Sequence, residues 1–380
     1  MADPLAVRAA IVHDWFQGYH GSERTVEAIR SGLFVPGDEP DIFTFHAARE
    51  LLPTELARAI VRESALAGLP GLRQRGHDPG RWRYLLPLMG RYFEHLDLDR
   101  YDLVISSSHA CAVRVRPREN AVHVCYCYTP MRYAWLPETE AGRTRGAAGW
   151  ALGRLGRRLR RLDLEASRRP DAYIAISSAV RDRILRSYGR EAEVIHPPVD
   201  VEDFRADRER DPGRFLWVGR LVSYKRPELV LEAFRDLPYS LSMVGIGPLA
   251  ERLRARLPPN VELLGWLPRA ELVRRYERAS GFVHVGEEDF GIAMVEALAA
   301  GTPVVALDAG GARDIVRDGL DGRLVARPEL EEVRAAIRSV AESDWDRSEL
   351  AAGARRFSRD AFTEALRRRL GEALAARDTA

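Results

Sequence analysis

Lysine is almost missing from this chain: of 58 basic residues only Lys225 is a lysine, and the rest are arginine. A planar arginine fork does not replace a compact, flexible ammonium where a point charge must reach a phosphate, so Lys225 is the first functional candidate. Cysteine is scarce as well. Cys111, Cys125 and Cys127 fit neither a zinc spacing nor a disulfide framework, and the last two alternate with aromatics in a strand-like run that reads as buried thiols. No apolar run approaches the roughly 18 residues that a membrane-spanning helix needs. Neither sign of charge dominates at a formal +2, so an extended nucleic-acid footprint is not expected. The start, Met1-Ala-Asp-Pro, carries an acid and a proline where a secretion signal has basic residues, and a cytoplasmic location is expected.

What is present is long enough for two lobes, since 380 residues exceed one comfortable core. The most informative stretch is Gly286 to Pro303. Apolar runs flank it at 281–285 and 304–307, which gives the order strand, acidic loop, helix, strand. The helix is expected to begin near Gly291 and to stop at Gly301, with Pro303 preventing a restart. Backbone N–H groups of Gly291, Ile292 and Ala293 would then face an anion above the loop, and a phosphate suits that place. Glu288 and Glu296 frame it with seven residues between them. Carboxylates accept hydrogen bonds from hydroxyl pairs, so an acid on each side of a phosphate suits a nucleotide sugar. The plain alternative is a loop charge pair and a solvated helix acid.

Elsewhere, a strand over 7–13 leads into a turn at Asp14 in which Gly18 and Gly21 allow close backbone approach. Ser22 is expected to cap a helix from about Thr25 to Gly32. The strand from Tyr101 ends in three serines and His109, at the carboxyl end where ligands collect in open α/β sheets; a structural histidine is the alternative. The strand 121–128 leaves through Thr129-Pro130 towards Arg132. The segment 49–90 is helix-rich, with turns at Leu69-Pro-Gly and Asp78-Pro-Gly, and suggests no chemistry. A basic amphipathic stretch, 143–169, either rests on anionic lipid as a peripheral contact or is solvated while its leucines pack on the sheet. Pro197-Pro198 marks a hinge. Beyond it, Arg220 and Lys225 leave one strand end together, while Gly245 and Gly247, then Trp266 and Leu267, form turns suited to walls of a nucleobase pocket.

The run Glu288-Asp-Phe-Gly-Ile-Ala-Met-Val-Glu296 resembles the signature of retaining glycosyltransferases of family four, and the resemblance covers nearly the whole chain. It implies the GT-B arrangement, α/β with two Rossmann-like domains facing across a cleft. Residues 1–197 would be the acceptor domain, with a C-terminal helix 358–380 packing back on it, and 198–357 the nucleotide-sugar donor domain. Glu288 would contact the transferred sugar, Glu296 the ribose, and Arg220 with Lys225 the diphosphate. Phe290 and the helix start would complete the donor side, and Asp14, Gly21 and Arg132 the acceptor side, with Tyr128 and His109 near the reacting sugar. Departures from the family pattern are His20 for a glycine, Tyr128 for a histidine, Asp314 for a glutamate and Ser177-Ser178 for Asn-Ser.

The implied reaction is hexosyl transfer with retention to a hydroxyl of a glycan or glycolipid, by a front-face route without an obligatory metal or other cofactor. The wording around Glu288 and Cys127-Tyr-Thr-Pro-Met-Arg132 resembles bacterial mannosyltransferases of surface polysaccharide assembly, which puts GDP-mannose first and a UDP-glucose type of donor second. Rival readings are a same-fold epimerase or phosphorylase, and a nucleotide-sugar-binding subunit weakened by Tyr128. A pyridoxal-dependent phosphorylase needs a Schiff-base lysine, and the one lysine is already assigned to phosphate.

Overall fold

A computed structural model describes residues 4–69, 85–135 and 147–378. The Asp78-Pro-Gly turn and the first four residues of the basic stretch, 143–146, lie outside them. The chain divides into two compact units, Met1–Pro198 with Phe362–Ala380, and Val199–Ala361. The returning segment thus begins at Phe362 rather than at 358. Val199 bridges Ser358, and its N–H donates to the Phe357 carbonyl at 2.9 Å, which keeps the residues just before Phe362 with the second unit.

The first unit is built on seven strands, β1 (Ala9–His13), β2 (Asp41–Thr44), β3 (Ile60–Arg62), β4 (Leu103–Ser108), β5 (Val122–Cys127), β6 (Ala172–Ala175) and β7 (Glu193–Val194). They lie in the order β3-β2-β1-β4-β5-β6-β7 and every pair is parallel. β1, β4 and β5 are buried along their whole length, as expected of parallel strands covered on both faces. All three cysteines are free and buried. The core gathers Phe43, Phe45, Met89, Phe93 and Tyr101. The closing helix, Arg359–Asp378, buries Phe362, Leu366 and Leu370, one residue every four, which is a single helical stripe. Phe362 meets the Tyr126 ring edge-on at 5.9 Å, and Arg367 donates to the Gly32 carbonyl at 2.6 Å.

The second unit repeats the plan with β8 (Arg214–Val218), β9 (Ser240–Val244), β10 (Val261–Gly265), β11 (Gly281–His284), β12 (Val304–Leu307) and β13 (Gly322–Val325). Their order is β10-β9-β8-β11-β12-β13, again parallel throughout. Phe215, Trp217, Phe234, Met243 and Ile337 anchor its core. Each sheet reverses direction of growth once, between β1 and β4 and between β8 and β11. A crevice outside the carboxyl ends at such a point is where open α/β sheets bind ligands. No helix among the described residues is long and apolar enough to cross a membrane.

Candidate active site

In the second unit, two loops meet at the carboxyl ends of β8 and β11. After β8 the chain makes a 3-10 turn, Ser223–Lys225, and Arg226 then adopts a left-handed φ of 53° before Pro227 opens a helix. That conformation strains a non-glycine residue and holds the lysine turn tight. After β11, Gly286 allows the loop to lie on this turn, because a Cβ there would come within 2.6 Å of the Lys225 Cα. The side chains follow. Lys225 Nζ pairs with Glu288 Oε1, and His284 Nε2 lies 3.1 Å from the same oxygen. Burial works to raise the Glu288 pKa, but His284 and Lys225 outweigh it and hold the carboxyl at about 2. Glu288 is therefore ionised throughout the neutral range.

The backbone of Glu288 is clamped from the other side. Gly311 donates to its carbonyl at 2.9 Å, and Gly310, at φ 61°, passes so close that a Cβ would sit 2.2 Å from that oxygen. The helix Ile292–Ala299 begins after Gly291, whose φ is 113°, and ends before Gly301 at φ 70°, as the sequence predicts. Gly291, Ile292 and Ala293 are half-buried at its start. Phe290 is not a ligand-facing ring: it is buried against Phe357 with centroids 5.5 Å apart. Glu296 is buried, and Arg269 Nη1 donates to its Oε1 at 2.5 Å while also bonding Asp203. Arg220 is exposed and pairs with no side chain among the described residues.

The glycine turn after β9 serves a local purpose. A Cβ on Gly245 would meet the Gly219 carbonyl oxygen at 1.8 Å, and one on Gly247 the Leu221 carbonyl oxygen at 2.5 Å. Both glycines seat the loop that carries Arg220. Trp266 is 69% exposed, an unusual state for an indole and one suited to stacking, with Leu267 half-buried beside it.

In the first unit the residues gather at the carboxyl ends of β1, β4 and β5. Asp14 is expected on the acceptor side, but the structure engages its carboxylate within the fold. Its buried carboxylate accepts four backbone N–H groups, from His109 at 2.6 Å, Ala110 at 2.9 Å, Cys111 at 2.6 Å and Ala112 at 2.7 Å. Both oxygens are consumed in shaping the turn after β4. His109 packs edge-on against Trp15 at 4.4 Å with Nδ1 3.5 Å from Asp14. Tyr128 donates to the Ser22 carbonyl at 3.1 Å, and its oxygen lies 3.0 Å from Ser107 Oγ. Ser107 in turn lies 3.0 Å from His13 Nδ1. Burial pushes the Tyr128 pKa upward and lowers that of His13 to about 4. Tyr128 is thus a neutral phenol tied to the first helix. That helix runs Gly21–Leu33, starting earlier than expected. Ser22 does not cap it; its hydroxyl donates to Glu23, which also accepts the His20 N–H at 3.1 Å. Arg132 is half-buried and opens the helical turn Arg132–Trp135.

Sequence reasoning missed His284 and Arg269. The signal for His284 was present, a histidine interrupting an otherwise apolar strand four residues before Glu288. Arg269 had no signal of its own among so many arginines.

Residues 200–357 match the family model described as Glycosyl transferases group 1, and residues 19–203 match Glycosyltransferase Family 4. Glycogen synthase of Mycobacterium tuberculosis is 30% identical over 240 residues, 58% of this chain and 56% of that protein. D-inositol 3-phosphate glycosyltransferase of a Mycobacterium species is 38% identical over 158 residues, 35% of each. The chain therefore spans little more than half, or less, of these curated relatives. Among solved structures, Anabaena Alr3699/HepE in complex with UDP and glucose is similar at a TM-score of 0.67 and 18% identity, covering 96% of this chain and 100% of its own. The lipopolysaccharide outer core galactosyltransferase WaaB gives 0.65 at 16% identity, covering 97% and 99%. At these identities the likeness is one of fold.

Proposed function

The chain is of GT-B glycosyltransferase type, a Glycosyltransferase Family 4 domain followed by a Glycosyl transferases group 1 domain, and we propose that it transfers a hexose from a nucleotide sugar to a hydroxyl of a glycan or glycolipid with retention. One observation carries this reading. The only lysine of the chain and the first glutamate of the Glu288–Glu296 pair come together at the switch point of the second sheet, beside the start of the helix Ile292–Ala299. Lys225, Arg220 and the helix N–H groups supply positive charge for the diphosphate, so no metal or other cofactor is required. Glu288, held ionised, receives hydroxyls of the transferred sugar. Glu296, oriented by Arg269, receives the ribose.

GDP-mannose is the first donor, on the wording of the motifs around Glu288 and Arg132. A second reading, UDP-glucose, is favoured by the Anabaena neighbour, which was solved with UDP and with UDP-glucose. The first unit serves the acceptor, in cell-surface polysaccharide synthesis on the cytoplasmic side. The basic stretch 143–169 is taken first as a solvated face, with Leu159 packed in the core and Arg160 turned back to the Ala134 carbonyl, and peripheral contact with anionic lipid is the second reading. Calorimetric titration with GDP and UDP, followed by chromatographic detection of slow hydrolysis of the matching sugar nucleotides, tests the proposal. Binding of GDP with turnover of GDP-mannose supports the first donor, and the UDP counterpart supports the second. Binding of neither would refute the reading.

A further inference from the structure

His284 has a role that the motif does not assign. It is buried to 1% exposure at the last position of β11, and its ring lies nearly parallel to those of Trp217 (8°, 5.9 Å) and Phe282 (7°, 6.5 Å). Its orientation is thereby fixed. Nε2 stands 3.1 Å from Glu288 Oε1 and already helps to keep that carboxyl ionised, but it is not aligned as a directed hydrogen bond, and Nδ1 has no hydrogen-bond partner among the described groups. The same oxygen holds the ammonium of Lys225. A buried donor placed beside a carboxylate but not aligned with it is a partner held in waiting, because buried polar atoms are ordinarily satisfied.

Lys225 cannot give its full charge to Glu288 and to a diphosphate at once. If it turns to the phosphates, a mostly buried carboxylate loses its counter-charge, which opposes the move. We propose that His284 is a positioning residue that takes over Glu288 through Nε2–H when Lys225 leaves it for the donor diphosphate. The inference rests on the nucleotide-sugar reading of this site. No proton is transferred: a neutral imidazole with hydrogen on Nε2 suffices, and Glu288 stays anionic and oriented. Gly286 and Gly310 hold the backbone on both sides, so the exchange needs side-chain rotation only.

The test is calorimetric titration of the full-length protein with GDP and UDP, in the wild type and in His284→Phe, His284→Gln, Glu288→Gln and the double variant His284→Phe/Glu288→Gln. Phenylalanine keeps the ring packing but offers no donor, so the lysine stays on the carboxylate and nucleotide affinity falls about tenfold. Glutamine, which donates, retains most of the affinity. In the double variant no carboxylate competes for Lys225, and affinity returns to the wild-type value or above; a purely structural role for the ring predicts no such rescue. Glu288→Gln alone gains affinity for the free nucleotide while losing transfer, a result that stands even if His284→Phe does not fold. Wild-type affinity in His284→Phe, or no gain on adding Glu288→Gln, would overturn the exchange while leaving the nucleotide site intact. Failure of the wild type to bind either nucleotide would sink both.

Discussion

A carboxylate with four N–H donors is a structural element, whatever its place in a motif. Asp14→Asn removes one anionic oxygen and sets an amide N–H2 against donors, which is expected to cost about 3 kcal/mol. Urea denaturation reads that loss, and any fall in turnover should follow the folded fraction. Lys225 behaves otherwise. Lys225→Ala is expected to lower nucleotide affinity by about 10- to 100-fold, the worth of one charge-assisted contact. Lys225→Arg should not restore binding, because the fork is wider than the ammonium it replaces. Unchanged nucleotide affinity in both variants would remove Lys225 from the site.

At the scale of elements, the Gly310–Gly311 turn and the Glu288 loop are one device. Gly310→Ala places a Cβ against the Glu288 carbonyl at a left-handed φ. It should lower stability by about 2 kcal/mol and turnover by about 100-fold, since a shift of the order of 1 Å in a reacting group has that effect. Steady-state kinetics beside nucleotide titration separates the two. The first helix offers a pH test. Burial raises the Glu23 pKa to about 7 from an unfolded value near 4.5, against hydrogen bonds that lower it. The folded state then binds more protons than the unfolded state between those values, so stability declines as pH rises from about 4.5 to 7 and is level above. Glu23→Gln should flatten that slope, by a span of about 3 kcal/mol, in denaturation midpoints taken at pH 5 and pH 8.

For the whole molecule, the last helix closes the first unit after the chain has built the second. Leu366, fully buried in that stripe, is expected to cost about 2–5 kcal/mol on truncation to alanine. Hydrogen exchange should show faster opening around β5 and β7, with β8–β13 unchanged. Equal acceleration in both sheets would mean that the units do not open separately.

The doubly wound fold was legible because buried parallel strands read as short apolar runs bounded by glycine and proline, and two sets of them repeat. The Glu288–Glu296 spacing, the helix from Gly291 to Gly301 and the solitary lysine were legible for the same local reason. Contacts that join distant segments were not. Asp14 meets N–H groups some 95 residues away, and no local pattern tells a carboxylate that caps a turn from one that awaits a hydroxyl. Phe290 turns inward because Phe357 is there to receive it. Arg269 reaches Glu296 only because the helix that it opens, Arg269–Arg278, packs against the helix Ile292–Ala299, whereas His284, four residues before Glu288, was within reach of a local reading. Residue identity and spacing determined which chemistry the chain carries, and the parallel register of the strands decided which of those groups are spent on holding the structure and which remain for a ligand.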